Sequence, residues 1–402
     1  MKISAPLYLT AREAARELSV SPATLYAYVS RGMIRSEPSE DHRARRYRAD
    51  DVRALIARRT PAGAARPADA EPPVLDTAIS NIGAEGSVYR GVPAVALAAD
   101  ATLEQAATLL WDVRDADPFE PGNLPVMSGT MRAVLAATVG EAPIPRAAAL
   151  LALAGDADPR AFNRSRDGRA AVGARVMRLL AAAILDVGPS PEPIHRRMAS
   201  TWAPGNRGAE DLFRRTLVLL AEHELNASTW TVRCAASTGL NLYDATVAGL
   251  VALKGPRHGG AGPLAARMVA EIATGDVGER IRERVALGEE IPGFGHRIYR
   301  DGDPRADSLL AELAKAGADP RLAVGAPALI HEATGMHPNI DYALAVMMRF
   351  LGLPAGHETA LFAVARSAGW IAHAIEQLES GVLIRPRARY TGPVVGRGGA
   401  GG

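Results

Sequence analysis

The chain has 402 residues, of which 48% are hydrophobic and 22% are charged, and its formal net charge at pH 7 is +2. This length exceeds one typical domain, and the composition excludes a disordered or low-complexity protein. The positive charge is local: residues 1–59 hold twelve Lys or Arg against seven Asp or Glu, a net charge of +5, which leaves −3 for the remainder. Such a basic segment favours a partner that binds there.

Several kinds of site and location are disfavoured. Cys234 is the only cysteine, so an intrachain disulfide is excluded, and we expect an inert, buried thiol. The sequence has no HExxH, thiol cluster or P-loop, so neither a metal site nor a phosphate-binding loop is expected. No apolar run approaches the roughly 18 residues of a membrane span, and the N-terminus has no signal-peptide core. We therefore expect a cytoplasmic protein without a membrane partner.

The first predicted element is a short helix near the N-terminus. Thr10 followed by Glu13 is a capping-box spacing, in which each side chain accepts a hydrogen bond from the other residue's backbone. This spacing predicts a helix that runs to about Leu18.

A second helix, a strand and a third helix are predicted next. Ser21 precedes a proline at the first helical position, and Gly32 is suited to the end of a helix, so the pair brackets the helix PATLYAYVSR. Residues 42–48 predict a turn and a strand. Asp50 is the predicted cap of the helix DVRALIARR.

The motif LTAREAARELSVSPATLYAYVSRGMI resembles the winged helix-turn-helix of the MerR and excisionase type, which predicts such a module over residues 1–59. In these modules the second helix lies in the major groove of DNA and the wing contacts phosphates. The alternative is a protein-contact or dimerisation element whose arginines form a solvated face. The predicted DNA-contacting residues are Thr24, Tyr26 and Tyr28 on the second helix and Arg43, Arg45, Arg46 and Arg48 on the wing.

A linker and a large helical region follow. Residues 60–73 are rich in Ala, Pro and Gly without periodicity, which predicts a linker. Residues 75–389 contain apolar residues at helical spacing, as in AAVGARVMRLLAAAIL and EDLFRRTLVLLAEHEL, and few strand signals. The predicted fold class is therefore all-α. The glycine-rich residues 393–402 predict a mobile tail.

Three segments surround a histidine with glycine or other small residues. They are HELNASTW with His223, KGPRHGGA with His258 and IPGFGHRIYRDGDPRADSL with His296. A lone histidine is more often structural or exposed. Flanking glycine favours a binding or catalytic site, because backbone without Cβ lets a substrate approach closely.

Six motifs occur in an order that resembles citrate synthase: HELNAST, LKGPRHGGA, GFGHRIYRDGDPRA, NIDYA, FAVARSAGWIAHAIEQ and RPRARYTG. The resemblance covers roughly residues 75–392. It implies a helical homodimer whose subunits have a large domain, residues 74–260 and 356–392, and a small domain, residues 261–355. It also implies oxaloacetate and acetyl-CoA or another acyl-CoA as substrates, with no tightly bound cofactor.

The resemblance implies three catalytic residues. A thioester methyl group is a weak carbon acid, so its deprotonation needs a base and a donor to the enolate oxygen. Asp341 matches the family's base and His258 matches that donor. His296 matches the donor to the ketone oxygen of oxaloacetate.

Further residues match the family's substrate contacts. Oxaloacetate is a dianion, and a closed site favours arginine as the partner of its carboxylates. Arg305, Arg366 and Arg385 match three carboxylate-binding arginines, the last normally given to the neighbouring subunit, and His223 matches a further ligand. The expected CoA contacts are the backbone of Pro292, Gly293, Phe294 and Gly295, and the side chains of Arg297 and Arg300.

One departure concerns the loop after His258. Gly262 and Pro263 stand where the family commonly has asparagine and an acidic residue. Because that asparagine normally helps to hold the loop, a less rigid loop is expected here.

The predicted reaction is condensation of acetyl-CoA or propionyl-CoA with oxaloacetate and water, giving citrate or 2-methylcitrate and CoA. One methylene group is worth only about 1 to 3 kcal/mol, so the sequence leaves both acyl groups open. An alternative is a DNA-binding regulator whose synthase-like domain senses oxaloacetate or acyl-CoA, although a sensor has no need of the base Asp341. A minor alternative is cleavage of citryl-CoA.

Overall fold

The structure, a computed structural model, describes residues 8–18, 20–30, 32–38, 45–49, 51–52, 75–83 and 85–388. Two compact units make up the chain: Met1–Leu75 with Arg387–Gly402, and Asp76–Pro386. The predicted linker and glycine-rich tail lie outside the described residues, as do Asp50 and most of the predicted third helix. Within the described part of the chain, no helix is long and apolar enough to cross a lipid bilayer.

Among its described residues, the first unit has two short helices with defined bounds and a three-stranded antiparallel sheet. Strand β3 is central and pairs with β1 and β2, with Leu9 and Ser36 both opposite Tyr47. The elements are β1 Tyr8–Leu9, α1 Ala11–Glu17, α2 Pro22–Ser30, β2 Ser36–Pro38 and β3 Arg45–Arg48.

The predicted helix starts of this unit are confirmed by their hydrogen bonds. The backbone N–H of Thr10 donates to Glu13 Oε2 at 2.8 Å, and the backbone N–H of Glu13 donates to Thr10 Oγ1 at 3.3 Å, which is the expected capping box. Ser21 Oγ accepts from the backbone N–H of Thr24 at 3.3 Å. Gly32 has a φ of +71°, a conformation that favours glycine after a helix. The small apolar core comprises Ala14, Ala15, Leu18, Leu25, Ile34, Tyr47 and Val52.

The second unit begins with a small antiparallel sheet and continues as a helical bundle. Its strands are β4 Ser80–Gly83, β5 Gly86–Tyr89 and β6 Val92–Pro93. The first helices are α3 Ala94–Asp100, α4 Leu103–Leu110, α5 Gly129–Ala137, α6 Pro143–Ala157, α7 Arg166–Leu185, α8 Ile194–Trp202 and α9 Ala209–Leu220.

The remaining helices carry most of the predicted site residues at or between their ends. They are α10 Ala227–Ala236, α11 Leu242–Leu253, α12 Ala261–Ile272, α13 Val277–Ala286, α14 Pro304–Lys315, α15 Ala326–Thr334, α16 Ile340–Phe350 and α17 His357–Ser380, with a π-helical turn at Arg321–Gly325. Polar caps start several of them: the side chains of Asn226, Asn241, Asp303 and Asn339 each accept a backbone N–H of the following turn.

Helix α17 is the centre of the second unit, because it packs against α4, α7, α9, α10 and α11. Small residues allow these close approaches. A Cβ on Gly173 of α7 would lie 2.8 Å from Ile371 Cγ2, and a Cβ on Gly249 of α11 would lie 2.8 Å from the Trp370 ring. The indole N–H of Trp111 donates to the carbonyl of Ala368 at 2.9 Å, so this buried polar group is satisfied.

We expect Gly369→Ala to destabilise the second unit. The backbone N–H of Gly369 donates to the carbonyl of Ala221 at 3.0 Å, and a Cβ at this position would lie 2.6 Å from that same oxygen and collide with the Glu222 carboxylate. Overpacking of this kind costs about 1 to 3 kcal/mol, and backbone gives way less readily than a side chain. Urea unfolding followed by circular dichroism measures the loss.

Gly129→Ala is the matched control, because nothing lies within 4 Å of the position of its Cβ at the start of α5. We expect a change below about 1 kcal/mol, in the stabilising direction. Equal effects of the two substitutions would contradict the packing described for Gly369.

Candidate active site

The three histidines singled out from the sequence lie in connections between helices of the second unit. His223 follows α9, His258 lies between α11 and α12, and His296 precedes α14. Arg305 and Asp341 lie in the first turns of α14 and α16, and Arg366 lies in the buried middle of α17.

His223 and His296 form one aromatic cluster with Tyr299. The ring centroids of the two histidines are 5.6 Å apart, and the Tyr299 ring stacks on His296 at 4.7 Å. Burial lowers the pKa of His223 far below its usual range, and the positive charges of Arg305 and Arg366 lower it further. His223 is therefore a neutral imidazole.

The proton of neutral His296 is assigned by its backbone contacts. Its Nδ1 accepts hydrogen bonds from the backbone N–H of Ile298 at 3.1 Å and of Tyr299 at 3.2 Å. Because Nδ1 is the acceptor, the proton of the neutral ring is on Nε2. Burial and the charge of Arg305 lower the pKa of His296. This side chain can therefore offer an N–H donor at neutral pH.

Ser228 and Trp370 hold the ring of His258. Ser228 Oγ lies 2.7 Å from His258 Nε2 and accepts the indole N–H of Trp370 at 3.1 Å. The serine hydroxyl has one proton and a second acceptor, Asn226 Oδ1 at 2.8 Å. If the serine donates to Asn226, Nε2 carries the imidazole proton, and if it donates to Nε2, the proton is on Nδ1. Nδ1 makes no hydrogen bond with any described residue. Burial, assisted by the charge of Arg366, lowers the pKa of His258 to about 4.

A buried ion pair joins Asp303 to Arg305. The Nε and Nη2 of Arg305 donate to the two carboxylate oxygens at 2.9 and 2.8 Å, and the backbone N–H of Ile340 donates to the same carboxylate at 3.1 Å. Burial alone would raise the pKa of Asp303, but the charge and hydrogen bonds of Arg305 outweigh it and hold the pKa below its usual range. The pair fixes the guanidinium and leaves its Nη1 without a partner among the described residues.

Arg366 is a second buried guanidinium with unused donors. Its Nε donates to the carbonyl of Leu220 at 2.8 Å, while its terminal nitrogens bond to none of the described residues. It lies over the ring of Phe362 at 4.5 Å, and the same ring packs edge-on against His258 at 6.0 Å. Burial lowers the pKa of Arg366 to about 10, opposed by the charge of Glu222, so the group stays positive at neutral pH.

Asp341 has the properties of a base. Its backbone N–H donates to the capping Asn339 Oδ1 at 3.0 Å, but its carboxylate makes no hydrogen bond with any described residue. Burial raises the pKa of Asp341 to about 6, and the carboxylates of Asp303 and Glu358 add to the rise against the opposing charge of Arg305. A carboxylate with such a pKa suits proton abstraction near neutral pH.

The predicted CoA loop is fixed to the segment that leads into Asp341. The carbonyls of Gly293 and Gly295 accept from the backbone and side-chain N–H groups of Asn339 at 2.8 and 2.9 Å, and the Gly295 N–H donates to the His337 carbonyl at 2.8 Å. The Phe294 ring packs on Tyr342 at 4.8 Å, and Pro292 is half-buried beside it. This loop and the predicted base are therefore held by the same short segment.

Three predicted arginines make no hydrogen bond or ion pair with the described residues. Arg297 and Arg300 are exposed, and Arg385 is exposed in the segment after α17. Their predicted roles in binding CoA and the neighbouring subunit's substrate stay predictions.

The Glu358 side chain fills the space that a side chain at position 262 would need. A Cβ on Gly262 would lie 2.8 Å from Glu358 Cγ, and the buried Glu358 carboxylate accepts the backbone N–H of Gly356 at 2.9 Å. The loop after His258 has other restraints, including the bond from Thr359 Oγ1 to the Gly259 carbonyl at 3.3 Å. The loop is thus tied to α17 at Gly259, and the lower rigidity expected from the missing asparagine stays a prediction.

Several residues that serve the site were not singled out from the sequence: Ser87, Ser228, Tyr299, Asp303, Glu358 and Trp370. Asp303 had a visible signal, since an aspartate before a proline is typical of a helix N-terminus. The half-buried Cys234 has a pKa raised by burial, in keeping with an inert thiol. In the described ranges, no group of three or more His, Cys, Asp or Glu side chains is arranged to hold a metal ion.

Comparison with known proteins gave two matching family models. The model "Citrate synthase, C-terminal domain" matches residues 70–387, and the model "Helix-turn-helix domain" matches residues 8–60. Citrate synthase 2 of Bacillus subtilis is 39% identical over 190 residues, which are 46% of this chain and 51% of the relative. 2-Methylcitrate synthase 1 of Corynebacterium glutamicum is 35% identical over 193 residues, 46% of this chain and 51% of the relative. The chain thus spans about half the length of the curated relatives it matches.

Solved structures match a larger part of the chain. Citrate synthase from Thermotoga maritima has a TM-score of 0.66 and 26% identity, with 80% of this chain and 94% of that one covered. A ternary complex of citrate synthase from Thermoplasma acidophilum with carboxymethyl coenzyme A and oxaloacetate has a TM-score of 0.67 and 24% identity, with 81% and 96% covered. At 24% identity, the match to the Thermoplasma acidophilum enzyme shows similarity of fold alone.

We expect Asp341→Asn to stabilise the protein above pH 6 and not at low pH. The pKa of Asp341 is raised to about 6 in the folded chain, whereas an aspartate in the unfolded chain has a pKa of about 4. Between these two pH values the folded chain keeps a proton that the unfolded chain has lost. The contribution of Asp341 to the free energy of unfolding therefore falls as pH rises and is lost above pH 6. Removing the ionisable group should add roughly 2 kcal/mol to the free energy of unfolding at neutral pH, and nothing near pH 4. Urea unfolding over a pH series measures this difference.

The same substitution at the exposed Asp115 is the control for losing one negative charge. A gain from Asp341→Asn that did not depend on pH would contradict the raised pKa.

Proposed function

Because the chain belongs to the citrate synthase family, we propose that it joins an acyl-CoA to oxaloacetate and releases CoA and citrate or 2-methylcitrate. The observation that supports this most is the combination of Asp341, a half-buried carboxylate with a pKa raised to about 6, with two neutral imidazoles, His258 and His296. The charge of Arg366 acts on the pKa of both Asp341 and His258, and the charge of Arg305 acts on the pKa of both Asp341 and His296. Such a set can remove a proton from carbon while hydrogen-bond donors stabilise the developing oxyanions. CoA enters as a co-substrate.

In the first step, Asp341 accepts a proton from the carbon next to the thioester carbonyl. The electron pair of the broken C–H bond moves to the carbonyl oxygen, where His258 donates from Nδ1. This tautomer requires the Ser228 hydroxyl to donate to Nε2 in place of Asn226 Oδ1, its other acceptor at 2.8 Å, and Trp370 orients Ser228. A neutral imidazole is sufficient as the donor, in keeping with the lowered pKa of His258.

In the second step, the nucleophilic carbon attacks the ketone carbon of oxaloacetate. The ketone oxygen gains negative charge and receives a hydrogen bond or proton from Nε2 of His296. The backbone N–H groups of Ile298 and Tyr299 donate to Nδ1, so the proton of the neutral His296 ring stays on Nε2, where it can be donated to the substrate. Water then hydrolyses the thioester and CoA leaves.

The two buried guanidiniums are the proposed carboxylate partners of oxaloacetate. Arg305 is preoriented by Asp303, and Arg366 is held through Nε by the carbonyl of Leu220. Both keep N–H donors that no described residue uses, which suits a dianion. We place Arg385 in the site of a second copy of the chain, and this requires a homodimer.

The proposed acyl-CoA site uses the backbone of residues 292–295 around the adenine. Arg297 and Arg300 are exposed next to this loop and can meet phosphate groups. The names of relatives include both citrate synthase and 2-methylcitrate synthase, so acetyl-CoA and propionyl-CoA are both proposed substrates.

Release of CoA from acetyl-CoA and from propionyl-CoA, with oxaloacetate present, tests the proposed activity. We expect turnover of at least one acyl-CoA, and kcat should rise with pH through about 6 as Asp341 ionises. Asp341→Asn should lower kcat by about 10² to 10⁴-fold because the base is lost. His258→Ala should lower it by about 10² to 10³-fold because an oxyanion donor is lost.

Asp115→Asn is the matched control and should keep the wild-type rate, since Asp115 is exposed and far along the chain from the proposed site residues. No turnover of either acyl-CoA by the wild type would overturn the proposed activity. Turnover that survived both site substitutions would overturn the proposed catalytic residues.

A second proposed function, specific to the first unit, is DNA binding. The helix-turn-helix model covers residues 8–60, and Tyr26 on α2 is 55% exposed. Arg45 is exposed on the wing strand β3, and Arg46 and Arg48 are half-buried on the same strand. Thr24 and Tyr28 also lie on α2, while Arg43 lies outside the described residues. An α-helix beside a basic wing is the arrangement that reads DNA grooves and phosphates.

Fluorescence anisotropy of the full chain with a random-sequence DNA duplex tests this second function. We expect binding that weakens as salt increases, because phosphate contacts release counterions. Arg45→Ala combined with Arg48→Ala should lower the salt dependence of the logarithm of affinity by about 2, roughly one for each phosphate contact. Adding oxaloacetate or acetyl-CoA shows whether the second unit controls binding.

Arg280→Ala combined with Arg267→Ala is the matched control, because both arginines are exposed on the second unit. DNA binding that showed no salt dependence, or no binding, would overturn this function. If the two double substitutions weakened DNA binding equally, the wing arginines would have no specific part in it.

A further inference from the structure

One buried tyrosine contacts three of the proposed substrate-binding residues. Tyr299 is 3% exposed, and its hydroxyl lies 3.2 Å from His223 Nε2. Its ring stacks on His296 at 4.7 Å, and the Arg305 guanidinium lies 5.4 Å from the ring centre. Removing the tyrosine would therefore affect three side chains that converge on the same proposed substrate.

The Tyr299 hydroxyl also belongs to a chain of hydrogen bonds that begins in the small sheet. Ser87 on β5 is 4% exposed, and its Oγ lies 3.0 Å from the Tyr299 hydroxyl. That contact is the only hydrogen bond of the Ser87 side chain among the described residues. Tyr299 therefore bridges Ser87 and His223 through one oxygen atom.

The direction of this chain follows from counting its protons. If Tyr299 donated to Ser87, the buried serine hydroxyl would have no acceptor for its own proton, and a buried donor without a partner is costly. If Ser87 donates to Tyr299, the phenol proton is directed to His223 Nε2, and every proton of the chain has an acceptor. His223 then carries its single proton on Nδ1.

We infer that Tyr299 is a positioning residue that, together with Ser87, fixes the proton of His223 on Nδ1 and so prepares this histidine to bind an anionic 2-oxo dicarboxylate. The inference rests on the proposed function for the identity of that ligand. Nδ1 makes no hydrogen bond with any described residue, so its N–H is free to meet a substrate oxygen. In the other tautomer a lone pair would face the anion and repel it.

The ring and the hydroxyl of Tyr299 have separable effects. The ring supports His296 and Arg305 by packing, and Tyr299→Phe keeps it. The hydroxyl alone acts on the His223 tautomer, so the phenylalanine variant removes only the proposed positioning contact. Ser87→Ala keeps the whole tyrosine and removes the donor that orients its proton.

Nitrogen-15 NMR of histidine-labelled protein measures the tautomer directly, because protonated and unprotonated ring nitrogens differ strongly in chemical shift. The chain has nine histidines, and His223→Gln identifies the signals of this one. We expect a protonated Nδ1 and an unprotonated Nε2 in the wild type. Tyr299→Phe should shift His223 to a mixture or to the Nε2–H form, and Ser87→Ala should cause a smaller shift in the same direction.

Steady-state kinetics adds a second readout. Tyr299→Phe should raise the KM for oxaloacetate by about 10-fold, the equivalent of one net hydrogen bond, with little change in the KM for acyl-CoA. Tyr243→Phe is the matched control, because this buried hydroxyl bonds to Asp158 Oδ2 at 3.0 Å and contacts none of the proposed site residues. It should leave both the His223 signals and the KM unchanged.

The NMR result separates this inference from the proposed function. An Nε2–H form of His223 in the wild type, or a tautomer that is the same in Tyr299→Phe, would overturn the role of Tyr299. The absence of turnover together with the expected NMR change would overturn the proposed activity and leave the positioning role standing.

Discussion

The Asp303 carboxylate is the contact on which the geometry of the site depends. It accepts hydrogen bonds from Nε, Nη2 and the backbone N–H of Arg305 and from the backbone N–H of Ile340, at 2.8 to 3.1 Å. These bonds tie the first turn of α14 to the first turn of α16. Burying two charges is costly, and leaving one of them alone costs about 3 to 5 kcal/mol, so the pair is stable only as a unit. Arg305 and Asp341 are thereby held in a fixed relation.

The site favours the neutral form of its three histidines and of the Asp341 carboxyl group. Burial is the largest cause of the lowered pKa values of His223, His258 and His296 and of the raised pKa of Asp341. The arginine charges deepen the effect on the histidines, and the neighbouring carboxylates add to it for Asp341. Burial therefore favours the uncharged form of each of these four side chains.

Local patterns predicted much of the fold. The capping box at Thr10 and the helical character of the long central region are confirmed, and the solved citrate synthases match 80% of the chain or more. The structure places His223, His258 and His296, which the motif order singled out, in the connections between helices, while their roles remain predictions. The domain boundaries and the roles of Arg297, Arg300 and Arg385 remain predictions.

The residues that support the histidines could not be found in this way, because the contacts join distant parts of the chain. Ser87 and Tyr299 are 212 positions apart, and Ser228 and Trp370 are 142 apart. Neither serine lies in a pattern that indicates its partner, since the partner is set by packing of whole helices. Hydrogen-bond direction is also invisible until the other acceptors around a buried hydroxyl are known.

The close approach of Gly262 to Glu358 restricts the side chains that position 262 accepts. Only 2.8 Å separates the position of a Cβ at 262 from Glu358 Cγ, so any residue larger than glycine there requires the glutamate side chain to shift. The residue types at these two positions are therefore coupled, although they lie on different helices and far apart in the sequence.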